Sequence, residues 1–116
     1  MVYAADHPAL AVLEVRVHLD LPPELLPADY VLLHLCLPEP ETVVAMPEDP
    51  RALGDAWLAE GRSPVLRVPS VIVPAGWTLL LNPRHPAAVA AKILSQLPFT
   101  FDPRLWKVQE TQFPGG

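Results

Sequence analysis

The sequence predicts a single α+β domain in which helices pack on a mixed sheet. Segments with apolar residues at helical spacing alternate with short runs rich in Val, Ile and Leu, a pattern typical of mixed layered architectures. The chain has 116 residues, which is near the usual size of one domain. Its hydrophobic fraction of 51% allows a substantial core and excludes intrinsic disorder. The 16 prolines are spread along the chain and therefore mark the ends of elements.

Three segments have the spacing or composition of helices. We expect them at about 7–18, 51–60 and 86–96. In the first helix Asp6 is the expected N-cap and Pro8 falls in the first turn, where its missing N–H does no harm. Leu10, Leu13 and Val17 form its apolar stripe. The second helix is expected to end at a left-handed Gly61 with Trp57 in the core, and the third is rich in alanine.

The remaining apolar runs predict strands. "PADYVLLHLCLP" is apolar nearly throughout, which indicates a strand covered on both faces. "ETVVAMP" is either a short strand or an extended connection, and "SPVLRVPSVIVP" is one strand or two broken at Pro69. "TLLLNP" is a further strand, and "PFTFDPRLW" closes the fold with a short strand and a turn. The domain is therefore expected to occupy residues 1–106, with a tail at 107–116.

Composition excludes several classes of function. The net charge of −5 leaves no basic stripe for a nucleic acid, and no apolar run reaches the ~18 residues of a membrane span. The start "MVYAADHP" lacks the pattern of a signal peptide. Cys36 is the single cysteine and is expected in the core as a small hydrophobe. This composition suits the cytoplasm.

No familiar catalytic or metal motif is present. The four histidines have no HxxxH spacing and no cysteine pair exists, so we expect no metal. Glu14 borders the apolar stripe of the first helix, where it is either an edge carboxylate or a functional one. Ser70 lies between two prolines in "RVPSVIVP". It is either a strand residue whose hydroxyl is hydrogen-bonded beside a proline-induced bulge, or a functional residue of the site. Arg62 and Arg67 are surface charges or anion contacts.

The order of four segments resembles the RES-domain family. They are "MVYAADHPALAVLE", "GDAWLAEGRSPVLRVPS", "LLLNPRHP" and "PFTFDPRLW", which together span the chain from Val2 to Trp106. RES domains are the toxins of bacterial type II toxin–antitoxin systems and resemble ADP-ribosyltransferase toxins in fold. The resemblance implies consumption of NAD, by phosphorolysis or hydrolysis that releases nicotinamide, or alternatively transfer of ADP-ribose to a protein. It also implies a cognate antitoxin as partner.

The resemblance assigns roles to particular residues. Glu14 matches the family glutamate and Ser70 the family serine, both expected to be catalytic, and Tyr3 matches a tyrosine that lines the NAD pocket. Glu14 would stabilise the positive charge that develops on the ribose, and Ser70 would orient Glu14 or the substrate from a strand break that turns it into a cleft. Asn82 belongs to a family motif without an assigned role.

The sequence departs from the family at its start. A "GGRWN"-like segment that carries the family arginine would precede Val2 and does not occur in this sequence. We therefore expect a truncated RES domain, weak or inactive on NAD, or alternatively a non-catalytic remnant that binds a partner. The run "YVLLHLCL" has no charged residue, so it would be poorly defended as an edge strand. We accordingly expect the chain to self-associate, most simply as a two-fold dimer.

Overall fold

The computed structural model describes residues 1–106 and confirms the α+β class. Its regular structure comprises two α-helices and six strands within those residues. In chain order they are β1 (Val2–Ala5), α1 (Pro8–Val17), β2 (Tyr30–Cys36), β3 (Glu41–Thr42), α2 (Pro50–Glu60), β4 (Val65–Pro69), β5 (Trp77–Leu81) and β6 (Lys92–Phe99). Short 3₁₀ turns occur at Pro23–Leu25, Pro86–Ala90 and Pro103–Trp106. The predicted tail at 107–116 lies outside the described residues.

Four strands form a mixed sheet in the order β1-β5-β4-β3. β5 pairs antiparallel with both β1 and β4, whereas β3 pairs parallel with β4. Directly opposed residues share a face of a sheet. One face therefore carries two cross-strand rows of side chains: Tyr3, Leu80 and Leu66, then Ala5, Thr78 and Val68.

The core lies where α2 covers part of this face. Trp57 of α2 is 1% exposed and packs with Leu66 and Leu80, which confirms the expected core position of Trp57. Its indole N–H donates to Ser63 Oγ at 2.8 Å, so the polar end of the ring is satisfied. Gly61 ends α2 with φ of 62°, in the left-handed conformation that the sequence predicted.

Ser63 and Arg62 tie β3 to the turn that follows α2. Ser63 donates to Glu41 at 3.1 Å, and Arg62 forms a two-pronged ion pair with the same carboxylate. Hydrogen bonding from Arg62 holds the pKa of Glu41 below its ordinary value. Arg62 also pairs with Glu60. The guanidinium is thus engaged by the protein, and its role here is structural.

The predicted third helix is wrong. Residues 86–90 form a 3₁₀ turn and Lys92–Phe99 form a strand that pairs antiparallel with β2. Alanine content favours a helix locally, but the free hydrogen-bonding edge of β2 supplies a long-range ladder that this segment joins. Pro98 is accommodated because β6 is an edge strand.

Helix α1 starts one residue later than predicted. His7 is the N-cap, with Nδ1 accepting from Ala9 N at 3.0 Å, because the carboxylate of Asp6 is engaged elsewhere. Its apolar stripe is also mostly exposed: Leu10 is buried, whereas Leu13 is 38% and Val17 57% exposed. The apolar contacts of the helix are therefore concentrated at Leu10, whereas its later part is held by polar contacts, among them Arg16 with Leu105 O and the Trp106 ring.

The ribbon of β2 and β6 is not covered on both faces, which corrects the prediction for β2. The strands form a separate two-stranded sheet with a bulge between His34 and Leu35. Cys36, expected in the core, is exposed at the end of β2 because nothing within residues 1–106 packs over it. The radius of gyration is 16.7 Å, against about 13 Å for a compact domain of this length, which fits a ribbon that projects from the sheet.

One end of the ribbon is anchored by aromatic rings. Phe101 is 6% exposed and makes edge-to-face contacts with Tyr30, Phe99 and Trp106. Beyond this cluster the ribbon exposes large apolar side chains, namely Val31, Leu33, Ile93, Leu94 and Leu97.

No helix within residues 1–106 has the length and hydropathy needed to cross a membrane.

The exposed ribbon supports the expectation of self-association, which stays a prediction. A two-stranded sheet is marginal alone and gains from a further strand or a covered face. We expect the chain to sediment as a dimer or larger species at micromolar concentration, and the double variant Ile93→Lys/Leu94→Lys to sediment as a monomer. Val89→Lys is the matched control, because Val89 is 88% exposed and lies outside the ribbon. A monomeric wild-type chain would contradict this prediction.

Candidate active site

A close contact between α1 and the loop before β5 sets the position of the candidate site. A Cβ placed on Gly76 would lie 2.9 Å from Leu10 Cδ2 and 3.2 Å from the carbonyl oxygen of Val73, so a larger residue would require Leu10 or the loop to shift. Asp6 reinforces it, because its carboxylate accepts from Trp77 N at 3.2 Å and its N–H donates to the Trp77 carbonyl. Glu14 follows Leu10 by one helical turn and therefore faces the same region.

The segment 70–76 forms a tight loop after β4. β4 ends at Pro69, and Ser70 N donates to the Gly76 carbonyl at 2.9 Å across the base of the loop. Gly76 N donates to Val73 O, with Pro74 and Ala75 at the two central positions. Ala75 has φ of 69°, the left-handed conformation that a type II turn requires at its third residue. No second strand forms after Pro69.

Ser70 makes full use of its hydroxyl group. Its oxygen accepts from Ile72 N at 3.1 Å and from Val73 N at 3.2 Å, and its hydrogen is donated to Glu14 Oε1 at 3.3 Å. A hydroxyl has two acceptor lone pairs and one donor hydrogen, so the hydrogen-bonding capacity of Ser70 is fully used. Ser70 is 7% exposed. These contacts suit it to orienting Glu14.

Glu14 is held through one oxygen only. Thr78 Oγ1 also donates to Glu14 Oε1, at 3.3 Å, so two hydroxyl groups from different segments share a single acceptor. No hydrogen bond from residues 1–106 reaches Oε2. The half-buried carboxylate therefore keeps one oxygen available to a ligand.

A cleft of about 900 Å³ opens in front of Glu14. It lies over the sheet face between α1 and α2, and its charged lining residues are Glu14, Arg51 and Asp55. Tyr3 lines it from β1 and is 70% exposed. Ser70 does not line it, although its neighbours Pro69 and Val71 do. The strand break thus places Ser70 behind Glu14. This differs from the expectation that the break turns Ser70 into the cleft.

The structure accordingly brings the three predicted site residues to one region in two layers. Glu14 and Tyr3 face the cleft, and Ser70 supports Glu14 from behind. Thr78 was missed by the sequence analysis. Its signal was a polar residue within the apolar strand "WTLLL", on the sheet face that the register later assigns to the cleft.

Arg67 and Asn82, which the sequence also singled out, make structural contacts away from Glu14. Arg67 lies next to Leu66 and Val68 in β4 and so points to the opposite face of the sheet, where its guanidinium stacks 4.1 Å from the centre of the Trp77 ring. Asn82 is 4% exposed and builds the turn after β5 by accepting from Arg84 N at 3.1 Å. Within residues 1–106 no cluster of His, Cys, Asp or Glu is arranged to hold a metal ion.

The geometry defines an α+β domain whose cleft is lined by Glu14, and comparison with known proteins identifies its family. The RES domain profile matches residues 1–102, so the chain belongs to the RES domain family. Toxin Res of Pseudomonas putida is 40% identical over 91% of this chain and 79% of its own length. The Prs ADP-ribosylating toxin of a Sphingobium species is 35% identical over 90% of this chain and 74% of its own. Toxin Res of Yersinia enterocolitica is 30% identical, over 90% and 76%.

The contact at Gly76 gives a prediction for stability. Gly76→Ala forces Leu10 or the loop to move, and we expect a loss of about 1–3 kcal/mol in the free energy of unfolding, measured by urea denaturation. Gly54→Ala is the control, because its Cβ would lie 3.8 Å from Leu80 in ordinary contact and alanine favours a helix. Equal stability of the two variants would show that α1 does not depend on this contact.

Proposed function

We propose that this protein is a RES-domain toxin that binds NAD in the cleft and breaks the bond between nicotinamide and ribose with the aid of Glu14. The supporting observation is that Glu14 lines the cleft and is held at Oε1 by two hydroxyl groups, while no hydrogen bond from residues 1–106 reaches Oε2. The names of the relatives from Pseudomonas, Sphingobium and Yersinia support the toxin assignment.

The chemistry follows from the charge on the substrate. When the C–N glycosidic bond breaks, its electron pair passes to the pyridinium nitrogen, which leaves as neutral nicotinamide. The ribose carbon becomes positively charged, as in other glycosyl transfers with oxocarbenium-like transition states. A fixed carboxylate oxygen beside the ribose stabilises that charge. The ribose carbon then bonds to an oxygen of the acceptor, which loses its proton. Phosphate, water and a protein side chain are the acceptors that we consider.

Arg51 is our candidate for contact with the diphosphate of NAD. It is the one permanent cation among the described residues that line the cleft, and within residues 1–106 it forms no ion pair. It lies in the first turn of α2, where the helix dipole also favours an anion. Guanidinium groups bind phosphate oxygens in pairs.

The partners follow from the same assignment. A toxin of this kind is held inactive by a cognate antitoxin, and we propose that this chain binds one and acts on NAD in the cytoplasm. The open cleft is large enough to take a segment of another protein. The main alternative is a non-catalytic RES domain that only binds its partner. Transfer of ADP-ribose to a protein is a second alternative, favoured by the name of the Sphingobium relative.

Glu14→Gln tests the proposed function. We expect the purified wild-type chain, incubated with NAD and phosphate, to release nicotinamide at a slow rate that the substitution lowers at least about 10²-fold, because the developing charge loses its counter-charge. Chromatography of nicotinamide measures the rate, and Glu24→Gln, an exposed carboxylate outside the cleft, should match the wild type. NAD binding without any release of nicotinamide would instead favour the non-catalytic alternative. The absence of binding would refute the proposal.

Arg51→Gln tests the orientation of NAD. Removing a diphosphate contact weakens binding more than chemistry, so we expect KM for NAD to rise about tenfold with kcat within twofold. Arg84→Gln is the control, since Arg84 is exposed and does not line the cleft. An unchanged KM in the Arg51 variant would place the diphosphate elsewhere.

A further inference from the structure

We propose that Thr78 is a positioning residue, which acts with Ser70 to fix the rotation of the Glu14 carboxylate so that Oε2 faces the ribose. The inference rests on the proposed function, since it assigns a task to Thr78 in the same reaction. It starts from the two hydroxyl hydrogen bonds of 3.3 Å that converge on Oε1.

A glutamate side chain needs such restraint. Its terminal torsion is broad and roughly two-fold, so one hydrogen bond to one oxygen leaves the carboxylate free to rock about that contact. Ser70 donates from the loop after β4, whereas Thr78 donates from the middle of the sheet. Two donors fixed on different segments restrict the plane of the carboxylate far more than either donor alone.

The backbone around Thr78 makes it a rigid donor. β5 is paired on both edges, and Thr78 lies opposite Ala5 on one side and Val68 on the other. A β-branched side chain on a central strand has few rotamers. The hydroxyl of Thr78 is therefore directed by the sheet, and no movement of the loop at 70–76 is needed to bring it to Glu14.

The two hydroxyl groups have different surroundings. The oxygen of Ser70 already accepts two backbone N–H groups and is away from the cleft. Thr78 lines the cleft beside Glu14. Because removal of Ser70 would also release Ile72 N and Val73 N and disturb the loop, Thr78 is the position where the carboxylate restraint can be removed by itself.

Three variants test the proposal by kcat and KM for nicotinamide release, measured with NAD in excess over a high concentration of protein so that slow turnover is detected. Thr78→Val keeps the shape but removes the donor, and we expect kcat to fall about tenfold, equivalent to about 1.4 kcal/mol, with KM within twofold. Thr78→Ser keeps the donor and should restore kcat to within about threefold of the wild type. Thr100→Val, at an exposed threonine outside the cleft, should leave both constants unchanged.

The outcomes separate this inference from the proposed function. Release that depends on Glu14 but is equal in wild type and Thr78→Val would overturn the role of Thr78 alone. A rise in KM without a change in kcat would also overturn it, since that would indicate direct binding of substrate. Release that is absent, or unaffected by Glu14→Gln, would overturn the proposed function and this inference with it. Should Thr78→Val fail to fold, as judged by its thermal transition, Thr78→Ala compared with Thr78→Ser decides the matter in the same way.

Discussion

The packing of Leu10 against Gly76 is the constraint on which the candidate site depends. Because Gly76 has no side chain, α1 approaches the start of β5 closely enough for Leu10 to be buried there. Glu14, one turn further along the helix, then meets two hydroxyl groups that belong to the sheet and its loop. The helix has few other buried residues, so its position also depends on the pairing of Asp6 with Trp77 and on Arg16, which donates to Leu105 O and stacks on Trp106 at its far end.

The end of β4 at Pro69 allows the following loop to orient the Ser70 hydroxyl. A continued strand would have used the N–H groups of residues 72 and 73 in the ladder of a sheet. The loop instead directs both to the oxygen of Ser70, which commits the hydrogen of that hydroxyl to Glu14. The proline-rich segment therefore fixes the Ser70 hydroxyl so that its oxygen accepts two backbone N–H groups and its hydrogen points to Glu14. The long segment "GDAWLAEGRS" has a different task, since Trp57, Ser63 and Arg62 join α2 to the sheet and to β3.

Elements with strong local signals could be predicted from the sequence, and those set by distant pairing could not. α2 was predicted with its capping glycine and its buried Trp57, because the cap and the apolar spacing are local. Residues 86–96 have a local preference for helix that is overridden by pairing with β2, more than fifty residues earlier. Thr78 could not be assigned, since its face depends on the register of β5 with β1 and β4. Glu14 and Ser70 were found through the family resemblance, whereas their separation into a facing residue and a supporting one needed the fold.

We propose that the packing of α1 presents Oε2 of Glu14 to the ribose of NAD while Ser70 and Thr78 hold Oε1. The most direct measurement is a crystal structure of the wild-type chain with a non-cleavable NAD analogue, refined well enough to place both carboxylate oxygens. We predict that a ribose hydroxyl donates to Oε2 within about 3 Å and that Ser70 and Thr78 remain bonded to Oε1. An analogue bound away from the cleft, or a Glu14 turned from both hydroxyl groups when the analogue is bound, would contradict it.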